Sequence, residues 1–232
     1  MTTNPATLVR HPVRTSSGLS IAAGVLAVSL VAETAVQRRI LAVAVIGVLT
    51  FAVGGLLWRR GRSGIGVFVA IGGTILIAYA LGLAAMRPAF LTQRLELIPG
   101  VVGLWILTAG LLPVRLGWER PLVDAGTGFL FLAVLTSGVV QGASFGALLV
   151  AGILTILAWD AAENAVSLGN QLGRHAPTTR GEFVHGAASS AVAIGAIGIV
   201  YLVGESGIDE LPFTALVALL VAGVAIAVAY HR

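Results

Sequence analysis

The sequence predicts an all-α protein, a polytopic bundle of about eight transmembrane helices with both termini cytoplasmic. Three observations carry this reading. Hydrophobic residues make up 57% of the 232-residue chain and charged residues 10%, where an ordinary soluble domain carries about 25% charge. The apolar residues fall in runs of membrane length, since a hydrocarbon core of about 30 Å takes about 20 residues of helix. All 14 basic residues are arginine, and they gather in the short segments between the runs.

The elements follow in order. Residues 1–16 form a polar tail, read as disordered, with Pro5, Arg10, Pro12 and Arg14. The run after it has span length rather than the roughly 7–15 residues of a cleaved signal core, so 17–36 is read as a retained first span. Gln37-Arg38-Arg39 turns the chain into a second span, 40–58, which stops at Arg59-Arg60-Gly61-Arg62. The third, 64–86, ends at Arg87-Pro88, because proline disfavours helix at the residue before it. The fourth, 97–113, is short and carries Pro99 near its start. As one helix, 122–159 would be about 57 Å long, nearly twice the membrane thickness. It is therefore divided at Gln141-Gly142-Ala143-Ser144 into spans 122–141 and 145–164. Spans 183–203 and 212–230 complete the set.

Arginine placement sets the orientation. With the N-terminus inside, Arg10, Arg14, Arg59, Arg60, Arg62, Arg115, Arg120, Arg174, Arg180 and Arg232 fall on the cytoplasmic side. Arg38, Arg39, Arg87 and Arg94 fall outside, a distribution that follows the positive-inside rule. Trp58, Trp118 and Trp159 then share the inner interface, as an aromatic belt does. No internal repeat or similarity between halves is recognisable, which weighs against a transporter built from inverted repeats.

Composition excludes several function classes. Cysteine is absent, which removes disulfides, thiolate catalysis and cysteine metal sites. Lysine is absent too, removing a retinal Schiff base and a Walker-type phosphate loop. The net charge of +4 comes from scattered span-end arginines, not from the clustered basic face of a nucleic-acid binder. No His-Glu-x-x-His motif is present, and the chain reads as non-enzymatic, with no cofactor.

One segment carries chemical information. Asp160, Glu163, Asn164, Ser167, Gln171 and Arg174 recur every three or four residues, a single stripe on a helix. Ala162, Val166, Gly169 and Gly173 lie opposite. The sixth span thus leaves the membrane as an amphipathic helix over about 160–174. Thr179 with Glu182 reads as a capping box that opens the next span. Two readings of the acids stand side by side. Asp160 and Glu163 form a proton or cation site balanced by Arg115 or Arg120, since an intramembrane acid is functional by default; or they belong to an interfacial patch that docks a partner. His175, His185 and Glu182 lack the spacing of a metal motif, and no metal site is assigned. Gly138, Gly142 and Gly146 have the spacing of a close-packing face, though the proposed turn cuts it. Glu33 is expected to pair with Arg38 or Arg39, Asp124 to begin a helix, and Trp105 to pack.

The block Asp160-Ala161-Ala162-Glu163-Asn164-Ala165, with Leu168-Gly169, Gln171-Leu172-Gly173-Arg174, Thr178, Arg180, Glu182 and Val184-His185, resembles a family of uncharacterised haloarchaeal multi-spanning membrane proteins. The arginine-only, cysteine-free composition suits that resemblance. Genes of the family often lie beside those of MoxR-type AAA+ ATPases, so the resemblance implies a membrane subunit of a chaperone-like or envelope-assembly system. It brings no catalytic residues. The expectation is a multi-pass cell-membrane scaffold or accessory subunit that meets lipid and one or more protein partners, such as an AAA+ ATPase system, through Asp160, Glu163, Asn164, Gln171 and Arg174. Nucleic acid is not among its partners, and self-association is left open. The alternative is a small proton- or cation-coupled transporter or channel using Asp160 and Glu163.

Overall fold

The computed structural model describes residues 12–88, 90–112, 117–141, 143–172 and 179–205. The eighth expected span, 212–230, lies outside the described residues, as do Arg115, Arg174 and His175. The chain divides into two units, residues 1–193 and 194–232. Among the described residues every regular element is helical: α1 (Arg14–Val31), α2 (Ala35–Arg59), α3 (Ser63–Met86), α4 (Leu91–Gly110), α5 (Glu119–Thr136), α6 (Phe145–Leu172) and α7 (Thr179–Glu205). The second unit contributes the last turns of α7.

Six of these helices are long and apolar enough to cross a membrane: α1, α2, α3, α5 with the turn that follows it, α6 and α7. Their outward faces are correspondingly apolar. Phe68 is 80% exposed, Ile75 62% and Leu26 54%, a cost in water but not in hydrocarbon. Several hydroxyls on these helices bond back to their own backbone, as Thr50 does to the Ile46 carbonyl and Thr74 to that of Ala70. This satisfies a polar group where no water can.

The remaining helix, α4, begins in the polar stretch Gln93-Arg94 and holds Pro99 inside it. Its position explains how so polar a helix is accommodated. Leu97, Val101, Leu104, Leu107 and Leu111 are fully buried, and α4 packs against α1, α2, α3 and α5. A helix shielded by its neighbours need not match the lipid.

Glycine decides how the pairs pack. On α2, Gly47 and Gly54 face Gly73 and Gly66 of α3, so close that a Cβ on Gly54 would lie 2.5 Å from the Ala70 nitrogen. Their seven-residue spacing keeps both contacts on one face of each helix. Gly126 of α5 approaches the Leu107 backbone of α4 in the same manner. Backbone meets backbone in both pairs, the close approach that small residues permit where water does not drive association. The sequence points instead to Gly138, Gly142 and Gly146; Gly138 only meets the Leu148 side chain.

Local signals set the ends. Thr34 and Gln37 form a reciprocal capping box at the start of α2, the Gln37 N–H donating to Thr34 Oγ1 at 3.1 Å and the Thr34 N–H to Gln37 Oε1 at 2.9 Å. The Arg38 side chain, expected beside Glu33, donates to the Ala32 carbonyl. Gly61 turns α2 into α3 at φ 81°, a left-handed conformation that suits glycine. Between α5 and α6, residues Ser137–Gln141 form a π-helical turn before α6 starts at Phe145.

The N-terminal boundary differs from the sequence reading. Residues up to Ser16 are read there as tail, yet α1 begins at Arg14 and Ser16 is buried. The Val13 N–H donates to the Ala165 carbonyl, and Arg59 donates to the carbonyls of Pro12 and Leu111. Composition marks these residues as polar; long-range bonds hold them.

Candidate functional site

α6 is 28 residues long, about 42 Å at 1.5 Å per residue, and so exceeds a 30 Å hydrocarbon core. The stripe predicted from its sequence lies in its last four turns. The structure gives most of the stripe partners within the chain. Asp160 Oδ2 accepts from Ser189 Oγ at 2.6 Å and lies 3.0 Å from His185 Nε2, both on α7. Asn164 donates from Nδ2 to Ser16 Oγ on α1 at 3.2 Å. Glu163 Oε2 lies 3.3 Å from Arg120 Nε at the start of α5.

Glu182 joins the same cluster. It is 3% exposed and accepts from both the backbone N–H and the hydroxyl of Ser16, at 2.8 and 3.1 Å. The capping role assigned to it with Thr179 belongs to the first turn of α7, but the Thr179 side chain lies outside the described residues. Glu182 thus ties α7 to the first turn of α1, with Ser16 as the shared atom group between Glu182 and Asn164. One turn further along α1, Ser20 donates to the Ala158 carbonyl at 2.7 Å.

Gln171 differs from the others. It is exposed, and its amide donates to Ser167 one turn earlier on the same helix at 3.1 Å. Asn170 beside it is also exposed. In the final turn of α6, Asn170 and Gln171 are therefore presented outward, while Asp160, Glu163 and Asn164 face α7, α5 and α1.

Several members of the cluster were not singled out from sequence. Ser16 fell in the expected tail, and Ser20 and Ser189 sit in runs of small residues where serine is common. Their one signal is spacing: Ser16 and Ser20, like His185 and Ser189, are four apart and share a helix face. His185, which lacks the spacing of a metal motif, pairs here with Asp160. Trp159, placed in the aromatic belt, donates its indole N–H to Asp124 on α5 at 3.0 Å. Among the described residues, no group of three His, Cys, Asp or Glu side chains converges to hold a metal ion.

The site is a set of polar contacts between helices. Arg120 answers Glu163, while hydroxyls, an imidazole and an amide surround Asp160 and Glu182. Such bonds are favourable within a bundle because the alternative is an unsatisfied group in hydrocarbon; each contributes on the order of 0.6–2 kcal/mol. Their chemistry allows hydrogen bonding and proton exchange at the Asp160–His185 pair. Two serine hydroxyls, those of Ser189 and Ser16, donate to carboxylates within the site.

No curated protein and no solved structure shows a significant match to this chain. Residues 74–227 match a family described as a family of unknown function, DUF7519. That match spans α4, α5, α6, α7 and most of the polar cluster, well over half of the sequence, and the chain belongs to that family.

Proposed function

We propose that this protein is a non-enzymatic scaffold or accessory subunit of the cell membrane, which docks a soluble partner through the cytoplasmic end of α6. One observation carries the reading. α6 outlasts the hydrocarbon thickness and ends in an exposed polar turn with Asn170 and Gln171, leading toward Arg174. The upper stripe, Asp160, Glu163 and Asn164, fixes α6 against α7, α5 and α1 and so holds that end in place. A rigid, projecting helix end is a suitable platform for a partner. The partner class that fits the haloarchaeal resemblance is an AAA+ ATPase of the MoxR type.

The test is copurification of the tagged protein with its partner from native membrane in mild detergent. An AAA+ ATPase recovered at fixed stoichiometry, lost with Gln171→Ala plus Arg174→Ala but kept with Asp160→Asn plus Glu163→Gln, supports docking at the end of α6. Recovery that neither pair alters overturns it.

A second reading, a small proton- or cation-coupled transporter, draws on one specific observation. Asp160 and His185 lie 3.0 Å apart beside a cavity between helices. In proteoliposomes this reading requires proton or cation flux that Asp160→Asn abolishes.

A further inference from the structure

A cavity of about 400 Å³ lies between α1, α6 and the first half of α7. Its two sides are joined differently. On the α6 side, His185 and Ser189 stand one turn apart on α7 and both reach Asp160 Oδ2, at 3.0 and 2.6 Å. On the α1 side, Glu182 accepts from Ser16. One turn further, Leu19 Cδ1 lies 3.3 Å from the position a Cβ on Gly186 would take. Here, then, α1 and α7 run in the same direction, and each turn of one faces a turn of the other. The next turn along those faces carries Ala23 and Ser190, both of which line the cavity.

α7 packs less than its neighbours. Among the described residues, the close-packed helix pairs form within α1 to α6, and none includes α7. Its apolar stretch is 6% buried, against 22–39% for the other five spans. Yet the walls of the cavity suit a close pair. α1 presents Ala22 and Ala23, and α7 presents Gly186, Ala187 and Ser190, residues of the size that lets membrane helices approach closely. Leu19 stands between these faces, near enough that a side chain at 186 would have to displace it. Helices in hydrocarbon associate through packing rather than through expulsion of water. Closing the gap would add dispersion contacts along both small-residue faces, and Leu19 opposes it by overpacking.

We infer that the first half of α7 is a strap that closes onto α1, turning about the Asp160 contacts, and that Leu19 is the prop that holds it open. The inference goes beyond the docking role and is independent of it, since neither Gln171 nor Arg174 takes part.

The absence of cysteine makes trapping direct. Ala23→Cys with Ser190→Cys places two thiols on facing walls of the full chain, reconstituted in liposomes. A disulfide joins them only when their Cα atoms come within about 7 Å, so its rate of formation under a mild oxidant reports closure. The expected result is slow trapping with Leu19 in place and trapping about tenfold faster with Leu19→Ala, the scale on which relief of one overpacked side chain acts. Leu19→Val, a smaller truncation, reads the same direction should Leu19→Ala fail to fold. Absence of the disulfide in every background overturns the inference, because the gap is then permanent. A rate that truncation at residue 19 leaves unchanged overturns it as well, because Leu19 is then no prop. Partner copurification is read separately, so failure of the strap and failure of docking remain distinguishable.

Discussion

Gly72 and Gly73 are neighbours on α3 with opposite surroundings, and substituting each by alanine separates packing from helix propensity. A Cβ on Gly72 meets nothing within 4 Å. A Cβ on Gly73 would lie 2.4 Å from the Phe51 nitrogen, 2.7 Å from the Gly47 oxygen and 2.8 Å from the Phe51 Cα. All three atoms are α2 backbone, which cannot swing aside as a side chain does. Ordinary contact begins at 3.4 Å, so α2 and α3 must part by about 1 Å, a gap that forfeits up to half of each dispersion contact. Overpacking of this kind costs about 1–3 kcal/mol. Against it stands a propensity gain of about 1 kcal/mol for replacing glycine by alanine in a helix, which Gly72→Ala shows alone. Gly73→Ala is therefore expected to be about 1–3 kcal/mol less stable than Gly72→Ala. Unfolding in mixed micelles with rising dodecyl sulfate, followed by far-ultraviolet circular dichroism, measures the difference. If the two variants unfold at the same detergent fraction, backbone contact at Gly73 does not hold the pair together.

Four further expectations use the same unfolding assay. Thr34→Ala removes one half of the capping box at α2 and is expected to cost about 1 kcal/mol. Thr50→Ala, whose hydroxyl only bonds back to Ile46, should cost clearly less. Asp160→Ala and His185→Ala should couple in a double-mutant cycle by about 0.5–3 kcal/mol, and strictly additive effects would show that the 3.0 Å contact carries no energy. Arg120→Ala should cost at most about 1 kcal/mol, because the Arg120 side chain is 60% exposed and such pairs are weak; a larger loss would mean that Glu163 is more deeply shielded than its contacts imply.

Hydropathy made the helical class and the membrane length of the runs legible, since both depend on composition over tens of residues. The break before α6 was also readable, because an uninterrupted helix there would be far too long for a bilayer. The burial of α4 was not, for a central helix is recognised only from what surrounds it. The stripe from Asp160 to Gln171 was visible as a period, but its partners were not. Ser16 lies 166 residues from Glu182 and 148 from Asn164, separations at which no local pattern speaks. The packing glycines escaped for a different reason. With 30 glycines in the chain, spacing by itself does not tell a contact face from an open one, and Gly72 beside Gly73 shows how narrow that difference is.

The distant bonding of α1 has a consequence for biogenesis. α2 with α3 and α4 with α5 are neighbours along the chain, and each pair closes as soon as its second helix emerges from the ribosome. α1 packs chiefly against α6, and Ser20 bonds a carbonyl 138 residues further on. At about 5–20 residues per second, translation leaves α1 in the bilayer for on the order of ten seconds with Ser16 and Ser20 unmatched. Docking of α1 therefore waits on the synthesis of α6 and is a late step in assembly of the bundle.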